Sequence, residues 1–486
     1  MNVSFQFIKV AGLALLPLAI TACSSFKSAD SVRASAQLPE LAAEFVLPES
    51  ASSQQPIAEW WSQFNDPQLN LLVNKALAHN HSIRIAEASL AESRAYLRNS
   101  KWDRYPTVEA DVSATRQRHS VDGLGAGVLD DAGSRISETY VAGFDASWEL
   151  DLFGRVRNGV RSTLAEVGAS QADLRGAQVS VTAEVASAYI SLRGSQYLLN
   201  VAEQNLDIQQ QTLKLAQRFT EVGRGDQLDV ARASAQLELT RARLPTLAAQ
   251  INSALNRLGV LTGDQIPALK TQLAEAMPLP SLPANFAVGD PQGMLQRRPD
   301  LRRAEQALAA AVAQYNIRVA DLYPSISFTG GLGYLSSDWS RLGDSNTSTF
   351  LFSPRIHWAA FNMGRVNALI DAADARTQAR LAEFEQSVLV ALEETDNSLQ
   401  NFTREEQRRA GLQQAAKAST QAATLASKKF ELGSSDFLTV LDAQREQLNV
   451  SAQLAQSDIQ VLLNLIAVYK SLGGGWAAEE SVAAVR

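Results

Sequence analysis

The sequence predicts an α+β membrane protein, built from two structural repeats, whose few strands close into a barrel only when copies of the chain assemble. Three observations lead to this fold class. The 486-residue chain repeats its own pattern about 210 residues later. Each copy contains two segments that alternate apolar and polar residues, and each then continues into a proline-free stretch far longer than an ordinary helix. The net charge of −7 argues against a nucleic-acid binder, which normally carries a basic patch.

The first 22 residues are predicted to be a secretory signal peptide. The run from Val10 to Ala22 is almost wholly apolar, yet shorter than the roughly 20 residues that span a bilayer. Cys23, the only cysteine, follows small residues at the usual cleavage position and resembles a bacterial lipoprotein box. We therefore expect Cys23 to be acylated and residues 23–58 to form a lipidated linker. The serine after Cys23 favours the outer membrane. An ordinary signal peptide with an incidental cysteine is the alternative.

Two pairs of matching segments define the repeat. Residues 148–158 (WELDLFGRVRN) match residues 358–367 (WAAFNMGRVN) with an offset of 210. Residues 104–106 (RYP) match residues 322–324 (LYP) with an offset of 218. The first copy therefore carries eight extra residues between these points, which we place in the Gly-rich stretch 120–134. Because insertions collect in exposed loops, this stretch is predicted to be a hairpin tip.

Each repeat contains two predicted strands that flank such a hairpin. From residue 108 to residue 114 every even position is apolar and every odd position is polar or charged, which is the pattern of a strand with one apolar face. The segments are roughly 10–13 residues long, enough for a tilted strand to cross a bilayer. Tyr and Trp near their ends are typical of outer-membrane aromatic girdles. A soluble sandwich would show the same alternation, but the chain offers no strands for a second sheet. The predicted strands are about 106–119, 138–152, 324–336 and 347–361.

Four strands cannot close a barrel. An open edge in lipid leaves N–H and C=O groups unpaired, at several kcal/mol each, and small membrane barrels have about eight strands. The chain must therefore oligomerise. Two copies would give eight strands and a filled interior, whereas three would give twelve and room for water. The polar strand faces favour a wet lumen, but the pattern itself leaves dimer and trimer open.

Long helical hairpins are predicted after the strands. Proline is absent from residues 155–219 and 365–430, and both stretches are rich in good helix formers. At 1.5 Å per residue, each helix would be roughly 100 Å long. Each is expected to turn at a glycine, Gly223 or Gly433, and to return as a shorter helix. Pro245 should bend the first return helix or start a new turn.

The remaining elements complete the domain organisation. The return helices are predicted at about 227–259 and 436–471, and the helices that lead into the strands at about 67–103 and 298–321. The successive parts after the lipidated linker are repeat 1, a Pro-rich linker or equatorial segment, repeat 2 and a loose tail, at 59–260, 261–297, 298–472 and 473–486.

This combination resembles the TolC-type outer-membrane efflux proteins, specifically the lipoprotein (NodT-like) subgroup that serves resistance–nodulation–division pumps. Residues 60–69 (WWSQFNDPQL) look like the N-terminal signature of that subgroup, although two buried tryptophans and a helix start at Asp66 would explain them equally. Residues 430–445 (FELGSSDFLTVLDAQR) are the most specific match. The resemblance covers about 58–475.

The resemblance implies a homotrimer in the outer membrane. Its twelve-stranded barrel would continue as a long periplasmic α-helical barrel, and the channel would export small molecules passively. The implied partners are outer-membrane lipid, an inner-membrane resistance–nodulation–division pump and a periplasmic membrane-fusion adaptor. The adaptor would contact the hairpin tips at Gly223 and Gly433, although both glycines are also expected simply as helix C-caps.

The resemblance also assigns an aperture at the periplasmic end. Leu438, Asp442 and Arg445 would line or latch it, and three copies of Asp442 would form an acidic, cation-selective ring. Asp229 matches the first-repeat aspartate that ties the closed tip. Some members have arginine where this chain has Ser435, so their latch does not transfer whole. The alternative for Asp442 and Arg445 is a solvated ion pair of little energetic value.

The sequence offers little support for an enzyme. None of the four histidines has a metal-binding spacing, and there is no G-x-S-x-G, P-loop or nucleophilic cysteine. We therefore expect no catalytic, cofactor or metal site. Two alternatives to efflux stay open, which are an outer-membrane channel for type I protein secretion and a periplasmic adaptor or structural coiled-coil lipoprotein. Adaptors need one hairpin and compact β domains, whereas this chain has two hairpins and four long strands.

Overall fold

The computed structural model describes residues 26–39, 45–48, 50–55, 57–119 and 136–474. The predicted signal peptide, Cys23, the loop 120–134 and the last twelve residues lie outside the described residues. The chain forms two compact units, each assembled from separate stretches of sequence. Unit 1 comprises 1–37, 90–170 and 303–385, and unit 2 comprises 38–89, 171–302 and 386–486.

Helices dominate both units. The described helices are α1 (Ala29–Ala34), α2 (Pro67–His79), α3 (His81–Trp102), α4 (Arg155–Glu221), α5 (Gln227–Arg241), α6 (Leu244–Thr262), α7 (Ile266–Leu273), α8 (Pro291–Arg297), α9 (Pro299–Ala320), α10 (Met363–Glu431) and α11 (Phe437–Ser471). The described strands are β1 (Ala51–Ser52), β2 (Thr107–Arg118), β3 (Ile136–Leu150), β4 (Phe286–Ala287), β5 (Ser325–Ser336) and β6 (Ser348–His357). No described helix combines the length and the hydropathy needed to cross a bilayer.

Unit 1 contains one antiparallel sheet in the order β2-β3-β5-β6. The two repeats use the same register, because Thr107 lies opposite Ser147 in the first and Ser325 lies opposite His357 in the second. Between the repeats β3 pairs with β5, and there Ser147 lies opposite Thr329. β2 and β6 are therefore the two edges of the sheet.

The apolar face of this sheet is uncovered in the single chain. Phe350, for example, is 85% exposed. Large exposed apolar surfaces of this kind normally meet a partner or a membrane. The other exposed apolar side chains of this face include Val108, Val112, Phe144, Leu332, Phe352 and Ile356.

The two long helices extend without a break for 67 and 69 residues. The single helix expected over 67–103 is instead two helices, α2 and α3, that meet at Asn80. Asn80 has an extended backbone, and its side-chain oxygen accepts from the N–H of Ser82 at 2.8 Å, which caps α3. The first return helix is broken between α5 and α6, where Pro245 lies in the first turn of α6.

The Pro-rich segment 261–297 is more ordered than an irregular linker. It contains α7, β4 and α8. β4 pairs in parallel with β1, which lies in the stretch expected to be the lipidated linker. This two-stranded pairing joins segments more than 230 residues apart, and no local pattern in the sequence predicts it. The last strand also ends earlier than expected, at His357 rather than near 361.

An aromatic cluster anchors the N-terminal side of unit 2. Trp60 is 1% exposed, and its ring stacks on Tyr469 of α11 at 4.8 Å, with Trp61 packed edge-on. Asp66 caps α2 and also accepts from the Tyr189 hydroxyl of α4 at 2.8 Å. Burial raises the pKa of Tyr189 to about 12, so this phenol stays a neutral donor.

Candidate functional site

Both long helices end in the same glycine turn. Gly223 and Gly433 have φ of 71° and 73°, the left-handed region that side chains with a Cβ disfavour. The next N–H donates to the carbonyl five residues back, at 2.8 Å for Arg224 and 2.9 Å for Ser434, as in a Schellman motif. A Cβ added at either glycine would meet no atom within 4 Å, so backbone conformation rather than space requires glycine here.

Each return helix begins at an aspartate N-cap. The carboxylate of Asp226 accepts from the N–H of Leu228 at 3.1 Å, and that of Asp436 accepts from the N–H of Thr439 at 2.8 Å. Hydrogen bonds from Thr439 hold the pKa of Asp436 below its ordinary value. A glycine cap followed by an aspartate cap therefore makes each hairpin turn short and well defined.

A small apolar cluster holds the two hairpins together beneath the turns. Phe430 is central, with its ring 4.9 Å from Phe219 and 5.3 Å from Phe437. Phe437 is buried together with Ala216 and Ala233. Exposed apolar side chains, Leu432 among them at 83%, surround the turns above this cluster. The others are Val222, Leu228 and Leu438.

The predicted aperture residues Leu438, Asp442 and Arg445 lie on one face of α11, as their spacing of four and three residues requires. Asp442 Oδ1 is 3.3 Å from Arg445 Nη2, and the two side chains are 54% and 68% exposed. Asp229 lies on α5 and pairs with Arg232 at 3.8 Å. In the described part of a single chain, each aspartate is thus paired within its own helix.

The sequence did not point to three polar residues beside this face. Thr212 of α4 donates to Gln444 Oε1 of α11 at 2.9 Å and so joins the two hairpins next to Arg445. Gln209, one turn away, is 4% exposed, and neither amide atom has a hydrogen-bond partner among the described residues. The only indication of these three residues in the sequence is a polar side chain at a position on the apolar stripe of a helix. Such positions are common in long helices.

The arrangement can act through charge and shape. Within the described residues, no group of three or more His, Cys, Asp or Glu side chains is placed to hold a metal ion. His357 lies at the end of β6, on the polar side of the sheet. A pair of exposed, oppositely charged side chains on an otherwise anchored helix can be repositioned at little energetic cost.

Comparison with known proteins identifies relatives over nearly the whole described chain. The outer membrane efflux protein family model matches residues 72–264 and 291–474, leaving out part of the segment between the repeats. Antibiotic efflux pump outer membrane protein ArpC of Pseudomonas putida is 32% identical over 420 residues, which cover 86% of this chain and 85% of ArpC. Solvent efflux pump outer membrane protein SrpC of Pseudomonas putida is 31% identical over 423 residues, covering 86% and 87% of the two chains.

Solved structures share the fold. The outer-membrane channel OprN superimposes with a TM-score of 0.84 at 37% identity, over 90% of this chain and 98% of OprN. The CmeC outer membrane channel of Campylobacter jejuni, at 19% identity, has the same fold with a TM-score of 0.82. The predicted combination of four strands and long helical hairpins is confirmed by these likenesses.

Proposed function

We propose that this chain, which belongs to the outer membrane efflux protein family, works as a trimer that forms the exit duct of a tripartite efflux pump. It is an outer-membrane efflux channel protein, as the sequence predicted. In the proposed assembly, three four-stranded sheets make a twelve-stranded barrel, and the paired hairpins of three copies make a periplasmic tunnel. Substrates cross it passively, and the inner-membrane pump supplies the energy.

One observation carries the proposal, which is the unfinished state of the sheet in unit 1. Its apolar side chains are exposed, and its two edge strands offer unpaired N–H and C=O groups. A single copy of this sheet is unfavourable in both solvents. In water its apolar side chains are exposed, and in lipid the N–H and C=O groups of its open edges have no hydrogen-bond partners. Identical copies that join edge to edge satisfy both requirements.

The hairpin tips support docking of a periplasmic adaptor. The turns at Gly223 and Gly433 are exposed, and the apolar side chains beside them, such as Val222 and Leu432, are exposed as well. Exposed apolar side chains on a rigid turn are suited to a partner that packs its own apolar side chains against them. We assign this surface to the membrane-fusion adaptor of the pump.

The face that carries Leu438, Asp442 and Arg445 supports the aperture role. Helix α11 is held by buried Phe437 and Val440, so the exposed charges project from a fixed scaffold. Three copies would bring three Asp442 carboxylates to one constriction. With serine at position 435, the closed state depends on Asp442 and Arg445 rather than on an arginine there.

The lipid anchor belongs to the same proposal. Cys23 would carry the acyl chains, and the first described residues just after it are firmly held. The Asn316 side chain bonds both the N–H and the C=O of Lys27, at 2.9 and 2.7 Å. Val32 of α1 is buried against Leu308 and neighbouring apolar residues. An acylated Cys23 would therefore be tethered within a few residues of a fixed point on unit 1.

The relatives named for antibiotics and solvents suggest the substrate class, small and largely apolar toxic compounds. Deleting the gene is expected to lower tolerance to toluene and to several unrelated antibiotics, and the intact chain should restore it. The detergent-solubilised assembly should have the mass of three mature chains. Unchanged tolerance in a strain without paralogous channels would refute the efflux role, and a stable single copy in plain buffer would refute the assembly.

A further inference from the structure

The two repeats are equivalent residue by residue where strands meet helices. The indole N–H of Trp148 donates to the carbonyl of Arg104 at 3.1 Å, and that of Trp358 donates to the carbonyl of Leu322 at 2.9 Å. Both pairs of residues are equivalent under the offsets of 210 and 218 found in the sequence. The strand registers obey the same offsets. A contact made by one repeat therefore indicates where its equivalent would lie in the other.

Inside the chain, the second strand of repeat 1 and the start of its long helix join the first strand of repeat 2. In the sheet, Ser147 lies opposite Thr329. Below it, the rings of Phe153 and Tyr323 stack at 4.7 Å. Arg155 bonds Glu149 at 2.7 Å, and this bond raises the pKa of Arg155. Arg155 and Asp321 line the same cavity. This junction is a complete interface between equivalent parts.

The equivalent surfaces at the two outer edges of the sheet have no such partner in the described chain. Arg365 corresponds to Arg155, but the carboxylates Glu149 and Asp151 are replaced at the equivalent positions by Ala359 and Phe361. Arg365 is exposed and has no ion pair in the described chain, and Phe361 is fully exposed.

At the other edge, just before β2, Asp103 and Tyr105 correspond to Asp321 and Tyr323. Tyr105 is 60% exposed, whereas Tyr323 is half-buried. One face thus offers an unpaired cation beside apolar surface, and the other offers a carboxylate beside an aromatic ring.

We propose that β6 of one copy pairs with β2 of the next in the register that the β3–β5 pairing dictates, which places His357 opposite the partner's Asp111 and Arg365 beside the partner's Asp103. This inference rests on the proposed trimer and adds to it the atoms that close the ring. Met363, the equivalent of Phe153, then packs on the partner's Tyr105 as a sulfur–aromatic contact.

The edges are complementary in charge. On the polar face, the β6 edge carries Arg355 and His357, and the β2 edge carries Glu109 and Asp111. Opposite charges across neighbouring strands stabilise a pairing, and closure removes the unpaired edge groups. Charge alone also allows a register shifted by two residues, with His357 opposite Glu109. The equivalence of the repeats selects Asp111, because the β3–β5 register does not permit that shift.

Cysteine cross-linking distinguishes these registers. Residues directly opposite across a strand pair have Cα atoms about 4.5–5.5 Å apart, within disulfide range, whereas pairs displaced by two residues are about 7–8 Å apart. We would compare H357C/D111C with the shifted pairs H357C/E109C and H357C/S113C. The internal control is S147C/T329C, the equivalent pair within one chain. Cys23 is the only native cysteine, so the introduced thiols are easily followed.

Under mild oxidation, H357C/D111C should give covalent dimers and trimers on denaturing gels, with about tenfold higher yield than either shifted pair. S147C/T329C should cross-link within one chain only. A higher yield from a shifted pair would overturn the register while leaving the trimer intact. If no pair cross-links between chains in a particle with the mass of three chains, the edge-to-edge interface itself is wrong. A single-copy particle would instead refute the proposed function.

Charge reversal tests the second contact separately. Arg365→Asp should lower the temperature at which the trimer dissociates on a gel, because it places two carboxylates together at the interface. The double variant R365D/D103R should recover at least half of that loss. Failure of the double variant to recover any of it would overturn the Arg365–Asp103 contact, whatever the cross-linking shows about the strands.

Discussion

Replacing Asp442 with alanine is expected to change ion selectivity without changing the fold. Asp442 and Arg445 are 3.3 Å apart on α11, and both are more than half exposed. An exposed i,i+3 pair of this kind stabilises a helix by about 0.2–0.5 kcal/mol. The opposite side of the helix remains buried through Phe437 and Val440. The variant should therefore assemble normally and unfold within about 0.5 kcal/mol of the wild type.

The effect on permeation should be larger, since three carboxylates act on one ion. At about 8 Å in water, one carboxylate attracts a monovalent cation by about 0.5 kcal/mol. Three together give about 1.5 kcal/mol, which is roughly a tenfold preference for cations over a neutral pore. In the wild type, Arg445 lies 3.3 Å from each of these carboxylates and offsets part of their attraction. Asp442→Ala should therefore shift the selectivity toward anions by roughly this tenfold factor. Arg445→Ala should shift it toward cations, because it removes three opposing charges.

Reversal potentials in planar bilayers across a KCl gradient measure this directly. Glu238→Ala is the matched control, because Glu238 pairs with Arg241 at the same i,i+3 spacing, with exposures of 58% and 49%. It removes the same charge from a comparable pair. An unaltered reversal potential for Asp442→Ala would exclude Asp442 from the constriction. An equal shift for Glu238→Ala would show that total surface charge, rather than a ring at α11, sets the selectivity.

Variants at three further positions test the scaffold and the tips. Trp60→Ala should destabilise unit 2 by about 3–5 kcal/mol in urea unfolding, because it removes a buried indole ring. Trp60→Phe should cost less than about 1.5 kcal/mol, because it keeps an aromatic ring and the lost indole N–H has no acceptor among the described residues. Equal losses for the two variants would refute the conclusion that packing, rather than the N–H, stabilises this site. Gly433→Ala should cost about 1 kcal/mol at its positive φ and weaken adaptor binding in a pull-down, leaving the mass of the assembly unchanged, whereas wild-type binding would remove this turn from the contact. Burial by itself would raise the pKa of the Asp264 carboxyl, but hydrogen bonds from Lys75 and Thr262 hold that pKa below its ordinary value. The ion pair between Asp264 and Lys75 therefore adds to the free energy of unfolding above the ordinary pKa of aspartate, and this contribution is lost as the pH falls through the lowered pKa of the folded state. Asp264→Asn should make the free energy of unfolding depend less on pH in the acid range. An unchanged pH profile would contradict this.

Much of the fold follows from periodicity. Alternation with period two located the strands of the sheet to within a few residues, and the absence of proline over 155–219 and 365–430 indicated the two long helices. These features are local, since each residue's neighbours in sequence largely decide them. The misplaced boundaries have local reasons as well. Asn80 ends one helix and caps the next with its own side chain, which a search for proline and glycine overlooks.

The aperture residues illustrate the limit of local patterns. Their spacing already places Leu438, Asp442 and Arg445 on one helix face. It does not show that Gln209 and Thr212, more than 220 residues earlier, lie beside them. Such contacts depend on how two distant hairpins pack, and a polar residue in a long amphipathic helix looks the same whether it faces water or a neighbour.

Two repeats, four amphipathic strands, two long helical hairpins and a strand count too small to close a barrel can all be inferred from the sequence. Each of these is a matter of composition and period along the chain. Only the folded chain shows the strand order β2-β3-β5-β6, its register, the pairing of β1 with β4 and the hydrogen bond from Thr212 to Gln444. Strand pairing and helix packing join residues hundreds of positions apart. Their choice depends on backbone hydrogen bonds and shape across space, which leave no periodic trace in the chain.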